Sequence, residues 1–343
     1  MKLKEGESLF SPVGNGSPDI TAIIPVFNRP QDLQKLLLSF KILNYSGKLT
    51  VIIVDDASTD DYFAIYEEFK KECPHIELQT IRVSNNQGPA LARNVAIKKA
   101  TSKYVWFLDS DSEIFQSNML TRAVEIFKKE SNIKGIGEEV YLFNGKAWTQ
   151  QLKWYPSYLF SVRFCELEKS PAGYSFSIPA SNLIIERKLF DEIGLFNSEF
   201  KTLEENDLCC RLRKKGYKLY ACKEVATYHH ASTAGREDSA FDFYVDVKKY
   251  AKAYHLNRIK LVALHKNYLL PFLPLVDLYF SGIIFLTQLF QKANSKNIIS
   301  SKTGKSISFF RYAAHHFWAM VSSHFYAYKV FMIRKLSHSA IYN

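Results

Sequence analysis

Four short apolar runs recur every 25–30 residues near the start of the chain, at 19–26, 48–54, 76–83 and 103–108. Three helical patterns lie between them, at 30–44, 62–71 and 88–100. The first, second and fourth runs are almost continuously apolar, the mark of strands buried on both faces. In the first helical pattern Pro30 suits an opening turn, and Leu33, Leu36, Leu37 and Phe40 share one face. The third is small and basic at its start. Parallel neighbours need a long crossover, usually a helix. The chain is therefore expected to be α/β, with a mostly parallel sheet flanked by helices. No solenoid period is visible.

Ligands of open parallel sheets bind beyond the carboxyl ends of the strands. The polar residues there are Asn28 and Arg29, Asp55 and Asp56, and Asp109 and Asp111. Four carboxylates on adjacent strand ends repel one another unless a cation or a hydrogen-bonding ligand relieves them. Two aspartates spaced one apart suit a hard cation, Mg2+ or Mn2+, bridging a diphosphate. They also suit a solvated turn. Downstream, residues 136–185 are mixed and strand-like, 187–193 reads as a short helix, and 204–216 as another, stopped by Gly216.

The order of the motifs carries more information than any one of them. Ile24-Pro25-Val26-Phe27-Asn28-Arg29, Val54-Asp55-Asp56-Ala57-Ser58-Thr59-Asp60, Asn86-Gln87-Gly88-Pro89-Ala90-Leu91-Ala92-Arg93-Asn94 and Phe107-Leu108-Asp109-Ser110-Asp111 follow one another. Gly194-Leu195-Phe196, Leu203-Glu204-Glu205-Asn206-Asp207-Leu208-Cys209-Cys210-Arg211-Leu212 and Gly216-Tyr217 come after them. This series resembles the family 2 glycosyltransferases, over about residues 19–235. The resemblance implies a GT-A fold and an inverting, nucleotide-sugar-dependent transfer to a glycan or lipid-linked acceptor. It implies that Asp56 bonds the nucleotide base, that Pro25, Phe27 and Asn28 contact the nucleoside, and that Gly88 and Arg93 cross over the nucleotide. Asp109 and Asp111 match the DxD pair, Asp111 toward the Mn2+ or Mg2+ ion and Asp109 toward the ribose. Glu204-Glu205 stands where the family has Glu-Asp, which makes Glu205 the general base, with Asp207 and Glu204 as runners-up. Both glutamates also suit a helix N-terminus through its dipole. His229 matches a histidine that approaches the metal or the diphosphate; His230 is the lesser candidate, and a lone histidine is often structural.

Rivals fare less well. A sugar-nucleotide pyrophosphorylase needs a Gly-rich basic loop after the first strand, and Pro25-Val26-Phe27-Asn28 does not supply it. A non-catalytic glycan- or partner-binding relative is the alternative, opposed by the complete carboxylate set. No nucleic-acid partner is expected, since no zinc, helix-turn-helix or RNA-binding signature is visible.

Charge distribution sets the back of the chain apart. Residues 241–343 carry 14 Lys+Arg and 3 Asp+Glu, which accounts for the whole formal charge of +11. The expected division is a loose arm (1–18), a catalytic domain (19–240, halved at 112 into nucleotide and acceptor parts) and a basic, aromatic helical extension (241–343). Helix is expected over 241–254. Residues 268–290 are long enough to span a bilayer but are broken by Pro271, Pro274 and Asp277; residues 307–333 suit an interfacial helix. The expectation is attachment to the cytoplasmic face of a membrane, with a soluble helical subdomain as alternative. Met1–Ser11 lacks an apolar core, so no cleavable signal peptide is expected. Five cysteines without a CxxC pair oppose a disulfide framework.

Overall fold

The computed structural model describes residues 16–137, 141–142, 174–175, 177–200, 203–230 and 232. Farther on it describes 256–257, 259–261, 264–265, 297–299, 306–308, 318, 321–323 and 325. The expected helix at 241–254 and the apolar stretch at 268–290 lie outside these residues. The helix expected over 307–333 does not begin at 307, since Ser306–Ser308 pairs as a short antiparallel strand with Asn297–Ile299. No helix among the described residues is long and apolar enough to cross a membrane.

The expected alternation is present as β1 (Ile20–Val26), α1 (Pro30–Ser39), β2 (Leu49–Asp55), α2 (Phe63–Glu72), β3 (Glu77–Arg82), α3 (Pro89–Lys99) and β4 (Tyr104–Leu108). Then come β5 (Ser112–Ile114), α4 (Met119–Lys129), β6 (Ile133–Gly137), β7 (Tyr141–Leu142), β8 (Tyr174–Ser175) and β9 (Asn182–Glu186). They are followed by α5 (Leu189–Ile193), α6 (Glu204–Lys214), β10 (Lys218–Ala221) and β11 (Thr227–His229). The main sheet has eight strands in the order β3-β2-β1-β4-β9-β6-β10-β8. Neighbours are parallel from β3 to β4 and between β6 and β10. The exceptions are β9, antiparallel to β4 and β6, and β8, antiparallel to β10. The sheet is therefore mostly parallel, and the order reverses at β1, where the chain leaves β3-β2-β1 and continues on the other side with β4.

Successive strand residues point to opposite faces, and the core divides accordingly. Ile20, Ala22, Ile24 and Val26 of β1 pack in one layer with Leu33, Leu36 and Leu37 of α1, Phe69 of α2, Trp106 and α4. Ile23, Ile52, Val54, Val105 and Phe107 pack in the other with α3, α5 and α6. Three alanines of α3, Ala90, Ala92 and Ala96, lie in that second layer and let the helix approach the sheet closely. Phe107 meets the edges of Phe190 and Phe196 at centroid separations of 6.0 and 5.1 Å.

The first helix ends sooner than its pattern implies. It stops at Ser39 and tightens into a 3-10 turn, Phe40–Ile42. The Ser39 hydroxyl donates to the Leu36 carbonyl and accepts from the Ile114 amide, so the helix end is tied to β5. Helix α6 ends as Gly216 implies: its φ is +82°, and Tyr217 N–H returns to the Leu212 carbonyl.

A second, three-stranded sheet, β5-β11-β7, was not foreseen from the sequence. Its strands are three residues or fewer, too short to show a period. Register places His229 opposite Ser112, the residue after Asp111. Asn182 secures this arrangement from below. Its side chain accepts from Trp106 Nε1 at 2.9 Å and donates to the Val225 carbonyl at 2.6 Å, just ahead of β11. Asn182→Ala should cost about 1–3 kcal/mol in a denaturant titration, because it leaves both partners buried and unpaired; a change below ~0.5 kcal/mol means that they find other partners.

Candidate active site

The loop after β4 turns back at once into β5. That turn presents Asp109 and Asp111, and β11 brings His229 beside them. His229 Nε2 lies 3.6 Å from Asp109 Oδ2 and 3.3 Å from Asp111 Oδ1. One ligand atom from each of the three lies within 4.8 Å of the others. Asp111 is nearly buried, with its side chain 1% exposed. Its Oδ2 accepts from Ser232 N–H at 2.7 Å and faces Arg29 Nη1 at 3.2 Å. Its Oδ1 is buried and accepts no hydrogen bond from the described residues, with His229 Nε2 3.3 Å away. A buried carboxylate oxygen without a donor is costly. A cation would satisfy it, so the cluster fits a divalent metal on its own geometry. His230 takes a different course: its ring meets Glu113 Oε2 at 2.7 Å and its amide donates to the Asp111 carbonyl.

Arg93 links this cluster to helix α6. The guanidinium is buried, donating to Asp109 Oδ1 at 2.7 Å and to Glu204 Oε1 at 2.8 Å. Its ring-face neighbour is Phe196, with the guanidinium carbon 5.6 Å from the centroid. Burial works to raise the Asp109 carboxyl, but the hydrogen bond to His229 and the charges of Arg93, His229 and Arg29 outweigh it. Asp109 is held well below the usual carboxylate range. The side chain expected to cross the nucleotide also joins the DxD turn to the start of α6. Sequence could not show this, because 111 residues separate Arg93 from Glu204.

The three acidic candidates at the start of α6 differ sharply. Glu204 is committed to Arg93. Asp207 is committed twice, to His265 Nε2 at 2.8 Å and to Arg211 Nη2 at 2.8 Å. Burial opposes its charge, but the bonds to His265 and Arg211 prevail and lower its pKa. Glu205 is half-buried and accepts from the neighbouring Asn206 side chain at 3.2 Å. Burial, with the Glu204 charge beside it, pushes its pKa up to about 8. Of the three, Glu205 has the carboxylate most ready to take a proton.

On the far side of β1, register sets Val26 level with Asp55. Phe27, Asn28 and Asp56 therefore leave the sheet together. Asn28 has φ +49° and Ala57 φ +65°, both left-handed, and such strain collects at functional sites. The Asn28 side chain accepts from Thr59 N–H at 2.8 Å, and its amide donates to the Ser58 hydroxyl at 3.0 Å. Asp55 shapes the turn, accepting from Ser58 N–H and pairing with Arg82. Asp56 is buried and accepts from the amides of Gln87 and Gly88 at 3.0 and 2.7 Å. It thus holds the β3–α3 loop as well as facing the strand ends. Gly88 has φ +91°, and a Cβ there would meet nothing within 4 Å, so open space lies against this backbone. Pro25 lies within β1, partly exposed.

Sequence reasoning placed Arg29 among the strand-end polar residues but missed that it pairs with Asp111. Besides Asp111 it reaches the Ser232 carbonyl at 3.3 Å, and its own amide donates to the Tyr62 hydroxyl. Its position directly after Asn28 was the available signal. It missed His265 as well, since nothing nearby in the sequence marks it.

An open α/β sheet with a DxD turn, a histidine beside it and an acidic helix start facing the same ends is the architecture of a GT-A glycosyltransferase. The glycosyl transferase family 2 model matches residues 21–194, and the chain belongs to that family. Over 114 residues it is 32% identical to the uncharacterized glycosyltransferase YibD of Escherichia coli, covering 32% of each chain. Over 115 residues it is 30% identical to the poly(ribitol-phosphate) beta-N-acetylglucosaminyltransferase TarS of Staphylococcus aureus, covering 33% of this chain and 20% of TarS. The matched stretch thus spans a third or less of either relative. Among solved structures, the mannosyltransferase PcManGT of Pyrobaculum calidifontis, in complex with GDP-Man and Mn2+, aligns with a TM-score of 0.54 at 17% identity, over 71% of this chain and 65% of that one. Residues 1–349 of TarS align with a TM-score of 0.50 at 18% identity, over 85% and 96%. These two likenesses concern the fold.

Proposed function

We propose that the chain transfers a sugar from a nucleotide-sugar donor to a glycan or lipid-linked acceptor, with inversion and with the help of Mn2+ or Mg2+. The observation that carries this is the Asp109–Asp111–His229 cluster with its undonated Asp111 Oδ1, at the strand ends of a family 2 chain. Two hard carboxylate oxygens suit Mg2+ or Mn2+, and the imidazole favours Mn2+ of the two. PcManGT, solved with GDP-Man and Mn2+, and TarS, solved with UDP, support the same class of donor.

Each residue has a part. Asn28, Asp56 and the Gly88 backbone receive the nucleoside, with Pro25 and Phe27 shaping their loop. Asp109, Asp111 and His229 would hold the cation, which when bound would neutralise charge on the departing diphosphate. Arg93 keeps Asp109 in place and anchors Glu204. Glu205 takes the proton of the acceptor hydroxyl as it attacks the anomeric carbon. Its raised pKa makes it a strong base among carboxylates once ionised. One displacement without a covalent intermediate inverts the anomeric centre. A panel of UDP-, GDP- and dTDP-sugars, assayed for hydrolysis and thermal stabilisation with and without Mn2+, tests the reading. Activity or stabilisation with at least one donor, dependent on the cation, is expected; stabilisation without any turnover would favour a non-catalytic binding relative.

The extension belongs to the same proposal. Trp318 and Phe325 are 68% and 75% exposed, and each is helical. Exposed aromatics within a basic segment suit the interface of an anionic membrane. We place the enzyme there, on the cytoplasmic side, where a lipid-linked acceptor is within reach. The full chain should co-sediment with anionic vesicles, and Trp318→Ser with Phe325→Ser should reduce the bound fraction several-fold. Equal sedimentation with neutral vesicles, or none with either, refutes the attachment.

A further inference from the structure

The turn that carries Glu205 is held from both sides by residues far along the chain. Ahead of it, Leu203 has φ +68°, left-handed and unfavourable for a leucine. Such a conformation persists only where its surroundings enforce it. Leu203 is buried in a small apolar cluster with Phe200 and Leu261. Behind it, Asp207 accepts from His265 Nε2 at 2.8 Å, with the His265 side chain 6% exposed and that of Asp207 4%. Two more bonds attach the same segment: Lys260 Nζ to the Glu199 carbonyl at 3.2 Å and Lys214 Nζ to the Leu264 carbonyl at 3.4 Å. Residues 256–257, 259–261 and 264–265 are helical, and Asn257, Ile259 and Leu261 are buried. Leu261 and His265 both reach the start of α6, one through Leu203 and the other through Asp207.

The contact also reaches the metal cluster. Arg211, the other partner of Asp207, donates to the carbonyls of Ile193, Gly194 and Leu195. Phe196 next to them exchanges two hydrogen bonds with the Asn94 side chain, 2.8 and 2.9 Å long. Asn94 adjoins Arg93, which holds Asp109 and Glu204.

We propose that Leu261 and His265 are positioning residues for the reaction: the segment that bears them clamps the Leu203–Asp207 turn and so sets where the Glu205 carboxylate stands. The clamp lies beyond the residues matched by the family model, in the part of the chain that the motifs do not cover. It gives the extension a duty inside the catalytic domain, separate from any contact with a membrane. The proposal rests on Glu205 being the base.

The test uses the full chain and compares His265→Leu, His265→Gln, Leu261→Ala and Glu205→Gln for kcat, donor KM and melting temperature. Misplacing a catalytic group by about 1 Å costs up to ~10²-fold. His265→Leu and Leu261→Ala should therefore lower kcat about 10- to 100-fold. Donor KM should change less than kcat, because Asn28 and Asp56 lie on other elements and the DxD turn meets the clamp only at second hand, through Arg93. His265→Gln, whose side-chain amide can still donate to Asp207, should recover most of kcat. A purely structural contact would lower the melting temperature and leave kcat of the folded fraction normal, and that result overturns the proposal. Should His265→Leu fail to fold, Leu261→Ala and His265→Gln decide: normal kcat in the first, or a loss in the second equal to that in Leu261→Ala, also overturns it. If Glu205→Gln keeps full activity, the base assignment falls and the proposal with it. If Glu205→Gln is inactive while both clamp variants are normal, the proposal alone falls.

Discussion

Glu205→Gln should lower kcat by about 10²–10⁴-fold, the usual worth of a general base. Donor affinity should be nearly unchanged. The substitution keeps the shape and the hydrogen bond from Asn206 but removes the proton-accepting charge. It also removes a carboxylate that burial and Glu204 oppose, so the fold should not suffer. Glu204→Gln and Asp207→Asn are the controls. Both break an ion pair, to Arg93 and to Arg211, and should lower stability as well as rate. A fully active Glu205→Gln beside an inactive but stable Asp207→Asn would move the base to Asp207. The pH profile supplies an independent check. A carboxylate accepts a proton only when ionised, and a pKa of about 8 leaves about a tenth of it ionised at pH 7. The kcat/KM of the wild type should therefore rise about tenfold per pH unit below this value and level off above it. That limb should be missing from the residual activity of Glu205→Gln. A wild-type profile flat from pH 6 to 9 contradicts the raised pKa.

Asp111→Asn should cost about 10²-fold or more in cation-dependent turnover. Loss of a residue that merely supports a metal ligand costs 10–100-fold in affinity or activity, and a ligand itself should exceed that. The amide retains an acceptor for Ser232 N–H but no longer offers a charged oxygen to a cation or to Arg29. Metal binding can be read without turnover. The wild type should melt higher as Mn2+ is added, by mass action on the folded state. The variant should show a much smaller shift or need far more cation. His229→Ala should weaken the same response, and His230→Ala, whose ring lies on Glu113, should leave most of it. Near-normal turnover of Asp111→Asn without added cation would remove the metal role.

The β-α alternation through residue 108 was legible because buried strands and amphipathic helices each impose a local period. The strand-end aspartates were legible too, since a parallel sheet delivers all its carboxyl ends to one side. What the pattern could not show was the neighbourhood of each aspartate. Asp56, Asp109 and Asp111 look alike in sequence. The fold gives the first two backbone amides, the second a buried arginine, and the third an oxygen with no donor among the described residues.

By itself, the sequence determined the α/β class, the family, and a short list of acidic and histidine candidates. Those properties follow from local periodicity and from motifs read in order. The motifs already ranked Glu205 ahead of Glu204 and Asp207; what the tertiary structure added is that the other two are engaged in ion pairs. Those pairs depend on Arg93, Arg211 and His265, and Arg93 and His265 come to α6 from far before it and far after it in the sequence. The tertiary structure alone set His229 against Asp111, through a three-residue strand too short to carry a period. A carboxylate's chemistry is decided by the charges and donors within a few ångströms of it, and which groups come that close is a property of the folded chain.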